Sequence, residues 1–275
     1  MLHRTIENGT ALAPDLVVGQ VSVSAGKTRI VQDLSFHAKA GEVLAIIGPS
    51  GSGKTTLMKA MTGELPYSGG ITLAGLEVGG LSPEVLAAMR GVLPQASQIS
   101  FPLNVAEVVG LGLTSSRRER SFRARRIAEA LAKVGLSGFE GRSYQELSGG
   151  EQQRVQLARV LCQVWDPLPQ EGLPHWLFLD EPVSSLDIKH QVQIMQLAAD
   201  YAKRGGGVVA VMHDLNLTAA FADRVLVMQG GRRLAFGARD EVMQAELLSK
   251  AYDFPLEILT GPGGGRPVIV PMDNG

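Results

Sequence analysis

One stretch of sequence restricts the fold of this chain more than any other: residues 48–56, Gly-Pro-Ser-Gly-Ser-Gly-Lys-Thr-Thr. It follows the apolar run Val-Leu-Ala-Ile-Ile and matches the pattern G-x-x-x-x-G-K-[ST], in which the backbone N–H groups of a glycine-rich loop surround an anion. A helix that begins at such a loop adds the partial positive charge of its N-terminus. The sequence therefore predicts a strand, a phosphate-binding loop and a helix, in that order.

This phosphate loop predicts a site for a nucleoside triphosphate together with Mg²⁺. Lys54 would reach the β- and γ-phosphates, and the hydroxyl of Thr55 would bind the metal ion. The alternative is a glycine-rich turn whose lysine extends into solvent. The predicted nucleotide-binding residues are Gly48, Pro49, Ser50, Gly51, Ser52, Gly53, Lys54, Thr55 and Thr56.

Short apolar runs alternate with segments of helical periodicity along the rest of the chain. Strands are predicted at residues 16–23, 30–36, 42–47, 176–180 and 207–212, with a terminal hairpin at 225–228 and 233–236. Helices are predicted at residues 54–63, 122–135, 148–164 and 188–203, and Ser82 is predicted to cap another. This alternation indicates an α/β fold with a mainly parallel sheet. Residues 97–160 contain no convincing strand and are predicted to form a helical insertion.

Charge and composition exclude several classes of protein. The 26 Lys and Arg residues balance 27 Asp and Glu residues, so there is no electrostatic case for binding nucleic acid. Cys162 has no second cysteine to pair with and is predicted to pack as a small hydrophobic residue. The N-terminal residues lack an apolar signal core, and the longest uncharged stretch, 91–106, contains two prolines. We therefore expect a cytosolic chain, or one that reaches a membrane through a partner.

A pair of carboxylates follows the apolar run Leu-Phe-Leu at 177–179. Asp180 at the strand end would lie beside the bound Mg²⁺. Because adjacent side chains of a strand point to opposite sides, Glu181 would face the attacking water and act as its general base. An isolated Asp-Glu pair is usually a solvated strand end, but the phosphate loop favours the catalytic role here.

The segment Leu-Ser-Gly-Gly-Glu-Gln-Gln at 147–153 begins a predicted helix. Ser148 and Glu151 have the spacing of a capping box. Gly149 and Gly150 in the first turn weaken a helix, so their presence predicts a close approach to the backbone. An anion bound at the helix N-terminus is the natural candidate, and a well-capped helix without a ligand is the alternative.

Together these motifs resemble those of the ATP-binding cassette (ABC) proteins, in the family's order, over about residues 15 to 240. They are the phosphate loop, a glutamine loop at Gln95, the signature at 147–153, the Asp180-Glu181 strand end, a D-loop at 184–187 and a switch histidine at His213. The resemblance implies a P-loop NTPase cassette with a mainly parallel core sheet, an N-terminal antiparallel β part and a helical insertion. The expected single ATPase domain, 1–275, divides into a RecA-like core (about 1–96 and 161–245), a helical subdomain (about 97–160) and a tail (about 246–275).

The resemblance also implies the roles of individual residues. Signature residues Ser148, Gly149, Gly150 and Glu151 would contact the ATP held by a second copy of the chain, giving a head-to-tail homodimer with two ATP molecules at its interface. Asp187 of the D-loop would cross that interface, and His213 would contact the γ-phosphate and position Glu181. The implied catalytic residues are Glu181, His213 and Gln95, and the implied Mg²⁺ ligands are Thr55, Gln95 and Asp180.

One position departs from the pattern of the family. Many members stack an aromatic side chain near the chain start on adenine, whereas the corresponding position here is Ala25 and no Phe, Tyr or Trp precedes Phe36. Aliphatic contacts from residues 17–23, or His3, are the two candidates to replace it.

Three further segments resemble the importers of haem, iron-siderophores and vitamin B12. Residues 93–105 resemble the whole group, while the proline-rich segment 165–174 and the tail at 251–271 resemble the haem branch. The alternative for the last two is a surface loop and a loosely docked tail. Six arginines between 117 and 126 would form either a solvated helix face or a contact with anionic lipid or an acidic partner.

The resemblance thus implies the separate ATPase subunit of a haem importer, peripheral on the cytoplasmic face of a bacterial inner membrane. Its partners would be a second cassette, two copies of a multi-span permease and, indirectly, a periplasmic binding protein, with no nucleic acid. The ATPase of an iron-siderophore or vitamin B12 importer is the alternative. A clamp on DNA or ribosomes is disfavoured by the single phosphate loop and the lack of heptads, and a non-hydrolysing switch by Glu181 and His213.

Overall fold

Two sheets of opposite character frame the structure, a computed structural model that describes residues 15–95, 99–113, 119–170, 172–260 and 267–272. The first sheet is antiparallel, with strand order β2-β1-β4-β5. Its strands are β1 (Leu16–Ala25), β2 (Thr28–Ala38), β4 (Ser68–Leu73) and β5 (Leu76–Glu77). Inward-facing residues of β1 and β2, such as Leu16 and Leu34, are fully buried, while alternate positions face solvent.

The second sheet is mainly parallel and carries the site. Its strands are β3 (Val43–Ile47), β6 (Arg90–Leu93), β7 (Trp176–Asp180), β8 (Gly207–Val211), β9 (Arg224–Gln229) and β10 (Arg232–Ala238), in the order β10-β9-β3-β8-β7-β6. Only the β9–β10 pair is antiparallel. Every residue of β3, β7 and β8 is buried, as expected for strands covered on both faces. The predicted α/β fold with a mainly parallel sheet is confirmed.

Helices cover the core sheet and build the insertion. They are α1 (Lys54–Met61), α2 (Pro83–Met89), α3 (Val105–Gly110), α4 (Arg120–Lys133), α5 (Gly149–Gln163), α6 (Ile188–Lys203), α7 (Leu215–Phe221), α8 (Arg239–Val242) and α9 (Ala245–Tyr252). Ser82 caps α2 through the backbone N–H of Val85, as predicted. Within the described ranges, no helix is both long enough and apolar enough to pass through a bilayer.

Two arginines of the arginine-rich segment pack against the rest of the chain, whereas Arg120 and Arg125 are exposed. Arg117 and Arg118 lie outside the described residues. Arg123 donates to the carbonyl oxygens of Gly110 and Leu113, at 3.2 and 2.7 Å, where α3 ends. The guanidinium of Arg126 stacks over the Trp165 ring at 4.0 Å. These two arginines therefore stabilise the packing of the insertion instead of forming a solvated face.

The end of the chain is docked, so the alternative of a loosely docked tail is wrong for its described part. Strands β11 (Leu256–Thr260) and β12 (Pro267–Pro271) pair antiparallel, and Ile269 of β12 is buried. Leu248 and Ala251 of α9 are also buried in the core. The hairpin β9–β10 is consequently not terminal, because α8, α9 and this second hairpin follow it.

Candidate functional site

The phosphate loop connects β3 to α1 in a conformation that depends on glycine at its first position. Gly48 has φ +145°, and a Cβ atom there would lie 2.1 Å from the carbonyl oxygen of Met228 in β9. Neither the dihedral angle nor the space allows a side chain. The neighbouring strand thus holds the loop where the helix N-terminus of α1 begins.

Lys54 lies inside the loop and not in solvent, so the alternative of a solvent-extended lysine is wrong. The residue is 6% exposed, and its Nζ donates to the carbonyl oxygens of Gly48 and Pro49 at 2.8 and 3.0 Å. Burial lowers the pKa of Lys54, while the carboxylates of Glu181 and Asp180 raise it. A cation is therefore fixed where an anion would enter the loop.

The carboxyl end of β7 meets the start of α1. The Thr55 hydroxyl donates to Asp180 Oδ1 at 3.2 Å. Burial raises the pKa of Asp180, and the hydrogen bond from Thr55 lowers it. Ser52 Oγ is buried beside them and has no hydrogen-bond partner among the described residues, so a polar ligand atom in the loop would satisfy it.

Glu181, which directly follows β7, has a left-handed backbone. Its φ is +51°, and its N–H donates to the carbonyl oxygen of Val211 in the next strand at 3.1 Å. Its Oε1 lies 2.6 Å from Nε2 of His213, which follows β8. A left-handed residue other than glycine costs roughly 1–3 kcal/mol and is found mainly where the surrounding structure enforces it, often at functional sites. The two carboxylates therefore contact different side chains, Asp180 that of Thr55 and Glu181 that of His213.

The signature helix begins with the predicted capping box. Ser148 Oγ accepts from the N–H of Glu151, and the Glu151 carboxylate accepts from the N–H and the hydroxyl of Ser148 at 2.8 and 2.7 Å. The hydrogen bonds from Ser148 lower the pKa of Glu151. The cap thus satisfies the N–H groups of Ser148 and Glu151 within one chain.

The two signature glycines differ in what surrounds them. A Cβ atom at Gly150 would lie 2.8 Å from the carbonyl oxygen of Ser185 in the D-loop, whereas one at Gly149 would meet nothing within 4 Å. Within the single chain, the close approach at Gly150 is therefore to the backbone of the D-loop. The side chain of Gln153 adds a second link, because its Nε2 donates to the carbonyl oxygen of Glu181 at 2.9 Å.

Exchanging each signature glycine for alanine tests whether Gly150 is crowded by the D-loop and Gly149 is not. We expect Gly150→Ala to lower the free energy of unfolding by about 1–3 kcal/mol, because the new methyl group forces α5 and the D-loop apart. Gly149→Ala is the matched control and should leave that free energy unchanged or raise it by up to ~1 kcal/mol through helix propensity. Urea unfolding of the isolated chain measures both values, and equal values for the two variants would contradict the packing argument.

The remaining predicted residues lie at the edges of the site. Asp187 is exposed and caps α6, accepting from the N–H and Nδ1 of His190 at 2.9 Å. Ile188 beside it is 80% exposed. Gln95 is exposed just beyond β6, whose carboxyl end lies next to that of β7 because the two strands are parallel. Ala25 is exposed at the end of β1, and His3 lies outside the described residues.

One contact with the phosphate loop was not predicted from the sequence. Tyr252, the last residue of α9, accepts a hydrogen bond from the N–H of Gly48 at 3.1 Å. The two residues are 204 positions apart, and no local pattern connects them. Gln153 was missed as well, although it lies in the signature motif.

Comparison with known proteins gives consistent matches over most of the chain. Residues 31–184 match the protein family described as ABC transporter. The hemin import ATP-binding protein HmuV of Jannaschia sp. (strain CCS1) is 55% identical over 256 residues, which cover 93% of this chain and 94% of that protein. The HmuV protein of Rhizobium johnstonii is 56% identical over 92% of this chain and 96% of its own length.

A solved structure agrees with the fold. A metal-chelate type ABC transporter in an inward-facing conformation aligns with a TM-score of 0.76 at 23% identity, over 94% of this chain and 98% of its own. At that identity the likeness concerns the fold alone.

Proposed function

The chain belongs to the ABC transporter family, and we propose that it is the ATP-hydrolysing subunit of an importer that carries haem through a membrane permease. The observation that carries the ATPase part is the 2.6 Å pair of Glu181 and His213 beside the buried Lys54 of the phosphate loop. The haem substrate is supported by relatives named for hemin import at about half identity over nearly the whole chain.

The residues around Thr55 suit a magnesium ion. Mg²⁺ prefers oxygen ligands and is usually held by one or two carboxylates together with substrate phosphates, not by an all-protein cage. Thr55 and Asp180 offer such oxygens 3.2 Å apart, and no group of three or more His, Cys, Asp or Glu able to hold a metal occurs in the described part of the chain. Bound Mg²⁺ would neutralise phosphate charge, with Gln95 as a further proposed ligand.

The chain's own residues would divide the work of hydrolysis. The phosphate loop binds and orients ATP, with Lys54 against its terminal phosphates. Glu181 takes the proton of the attacking water at its carboxylate, and His213 holds that carboxylate and the γ-phosphate in register. The contact of Glu181 with His213 and that of Asp180 with Thr55 support this division between base and metal ligand.

Hydrolysis would require a second copy of the chain. The proposed homodimer is head-to-tail, with Ser148, Gly149, Gly150 and Glu151 of one chain over the ATP of the other. Asp187 and the exposed Ile188 would then lie at the interface. Closure would move Gln95 and the helical subdomain at 97–160, which would contact two copies of the permease on the cytoplasmic face of a bacterial inner membrane, with a periplasmic binding protein supplying the substrate.

Transport in liposomes tests the proposal. The chain is purified together with the permease encoded beside its gene, the complex is reconstituted, and haem entry is measured with and without Mg-ATP. We expect ATP-dependent haem uptake and no uptake when the chain is left out. ATP-dependent uptake of an iron-siderophore or vitamin B12 in place of haem would overturn the substrate, and failure to bind any permease would overturn the transport role.

A further inference from the structure

The strongest unexplained contact in the molecule joins the tail to the phosphate loop. Gly48 is the first residue of the loop, and its N–H donates to the hydroxyl of Tyr252 at 3.1 Å. Burial raises the pKa of this phenol, so it remains a neutral acceptor. The bond to Tyr252 fixes the peptide group at which the loop begins. Because the Gly48 N–H is already bonded, the later N–H groups of the loop are the ones left for phosphate.

The helix that carries Tyr252 is itself held against the core sheet. The side-chain amide of Gln229, at the end of β9, donates to the carbonyl oxygens of Lys250 and Ala251 at 3.1 and 3.2 Å. These bonds satisfy the C-terminus of α9 just where Tyr252 leaves it. The preceding residue of β9, Met228, supplies the carbonyl that abuts Gly48. The same strand therefore contacts the loop directly and also holds the helix whose Tyr252 bonds to it.

A second anchor joins the tail to the helix behind the switch histidine. Asn216 lies in the first turn of α7, which follows His213. Its Oδ1 accepts from the N–H of Ile269 at 2.8 Å, and its Nδ2 donates to the carbonyl oxygen of Ile269 at 3.2 Å. The strand β12 is thereby tied to α7 by both polar groups of one side chain.

We propose that the described tail residues 245–260 and 267–272 form a strap that positions the nucleotide site, with Tyr252 as a positioning residue for the phosphate loop. The strap contacts two elements of the site: the phosphate loop, through Tyr252, and the helix α7 that follows His213, through β12. This inference rests on the proposed ATP site, because the loop that Tyr252 holds is the one assigned to ATP. The substrate of transport has no part in it.

Removing the Tyr252 hydroxyl alone tests the proposal. We expect Tyr252→Phe to raise the Kd of the isolated chain for Mg-ATP roughly two- to tenfold, the range that one net hydrogen bond carries. The kcat at saturating ATP should change less than about twofold, because Glu181 and His213 keep their own contacts. Titration calorimetry gives the Kd, and phosphate release gives kcat and KM.

Tyr201→Phe is the matched control. Tyr201 is a buried tyrosine whose hydroxyl likewise makes one bond to the backbone, donating to the carbonyl oxygen of Val164 at 3.0 Å, but it lies on α6 and not against the loop. Its removal should lower stability without raising the Kd for ATP. If both variants shift the Kd equally, or if Tyr252→Phe leaves it within experimental error of the native chain, the positioning role is overturned.

A double-variant cycle tests whether the strap acts as one unit. Asn216→Ala should raise the Kd for ATP in the same direction as Tyr252→Phe, and the double variant should exceed the larger single effect by little. Full additivity would overturn the strap, because it would mean that the two anchors act separately. These binding measurements need neither permease nor haem, so they test the strap even if the transport experiment fails. If the native chain does not bind ATP at all, the proposed function is overturned, and the strap proposal that rests on it falls as well.

Discussion

Replacing Glu181 by Gln is expected to lower ATP hydrolysis roughly 10²- to 10⁴-fold while ATP binding is retained. The amide keeps the size of the side chain but cannot take a proton from water. Because ATP then stays bound at both interface sites, the variant should accumulate as a closed dimer. Phosphate release measures the loss, titration with Mg-ATP gives the retained affinity, and size-exclusion chromatography with ATP detects the dimer.

Glu129→Gln serves as the control for this exchange. Glu129 lies exposed on α4, where it pairs with Arg126 at 3.5 Å and Arg125 at 3.8 Å, and it takes no part in the site. It should hydrolyse ATP at the native rate. Native turnover in the Glu181 variant would refute the general-base assignment. Loss of ATP binding would instead mean that Glu181 is needed for the structure of the nucleotide site.

Replacing Lys54 by Ala is expected to abolish useful nucleotide binding, raising the Kd for ATP roughly a hundredfold or more. The buried ammonium makes two charge-assisted hydrogen bonds to the loop carbonyls, each worth about 1.5–3 kcal/mol. Its removal leaves those carbonyls unpaired and takes away the cation that faces the phosphates. Equilibrium binding of a fluorescent ATP analogue measures the change.

Lys59→Ala is the matched control: it shows how much ATP affinity is lost when a positive charge is removed outside the loop. Lys59 lies on the same helix, α1, but is exposed. The variant removes one positive charge near the site without touching the loop, so its affinity should fall less than about threefold, as for a screened surface charge. An unchanged affinity in the Lys54 variant would refute the phosphate loop as the ATP site.

Contacts between neighbours in sequence were predictable, and contacts between distant segments were not. The phosphate loop and the capping box of Ser148 and Glu151 are written in consecutive residues, and both formed as predicted. The bond between Gly48 and Tyr252 depends on how α9 docks against β9, which no local pattern encodes. The left-handed turn at Glu181 was hidden for the same reason, since the carbonyl of Val211 that holds it comes from the next strand.

Five strands of the described residues, β4, β5, β6, β11 and β12, escaped prediction, and two of them did so because their residues are poor strand formers. Strand β4 begins with Ser-Gly-Gly, and β6 is the short run Arg-Gly-Val-Leu. Pairing with β1 and β7 overrides these weak preferences. The roles proposed for Gln95, Asp187 and the signature residues remain predictions, because they concern partners outside a single chain.

The bond from Gln153 to the backbone of Glu181 has a consequence for the assembled pair. In the proposed dimer, α5 serves the nucleotide of the partner, while Glu181 serves the nucleotide of its own chain. In that dimer, the side-chain amide of Gln153 would therefore join the two ATP sites. Any change that one bound ATP makes, through this bond, in the affinity of the other site is matched by an equal change in the reverse direction. ATP binding at the two sites would therefore be cooperative.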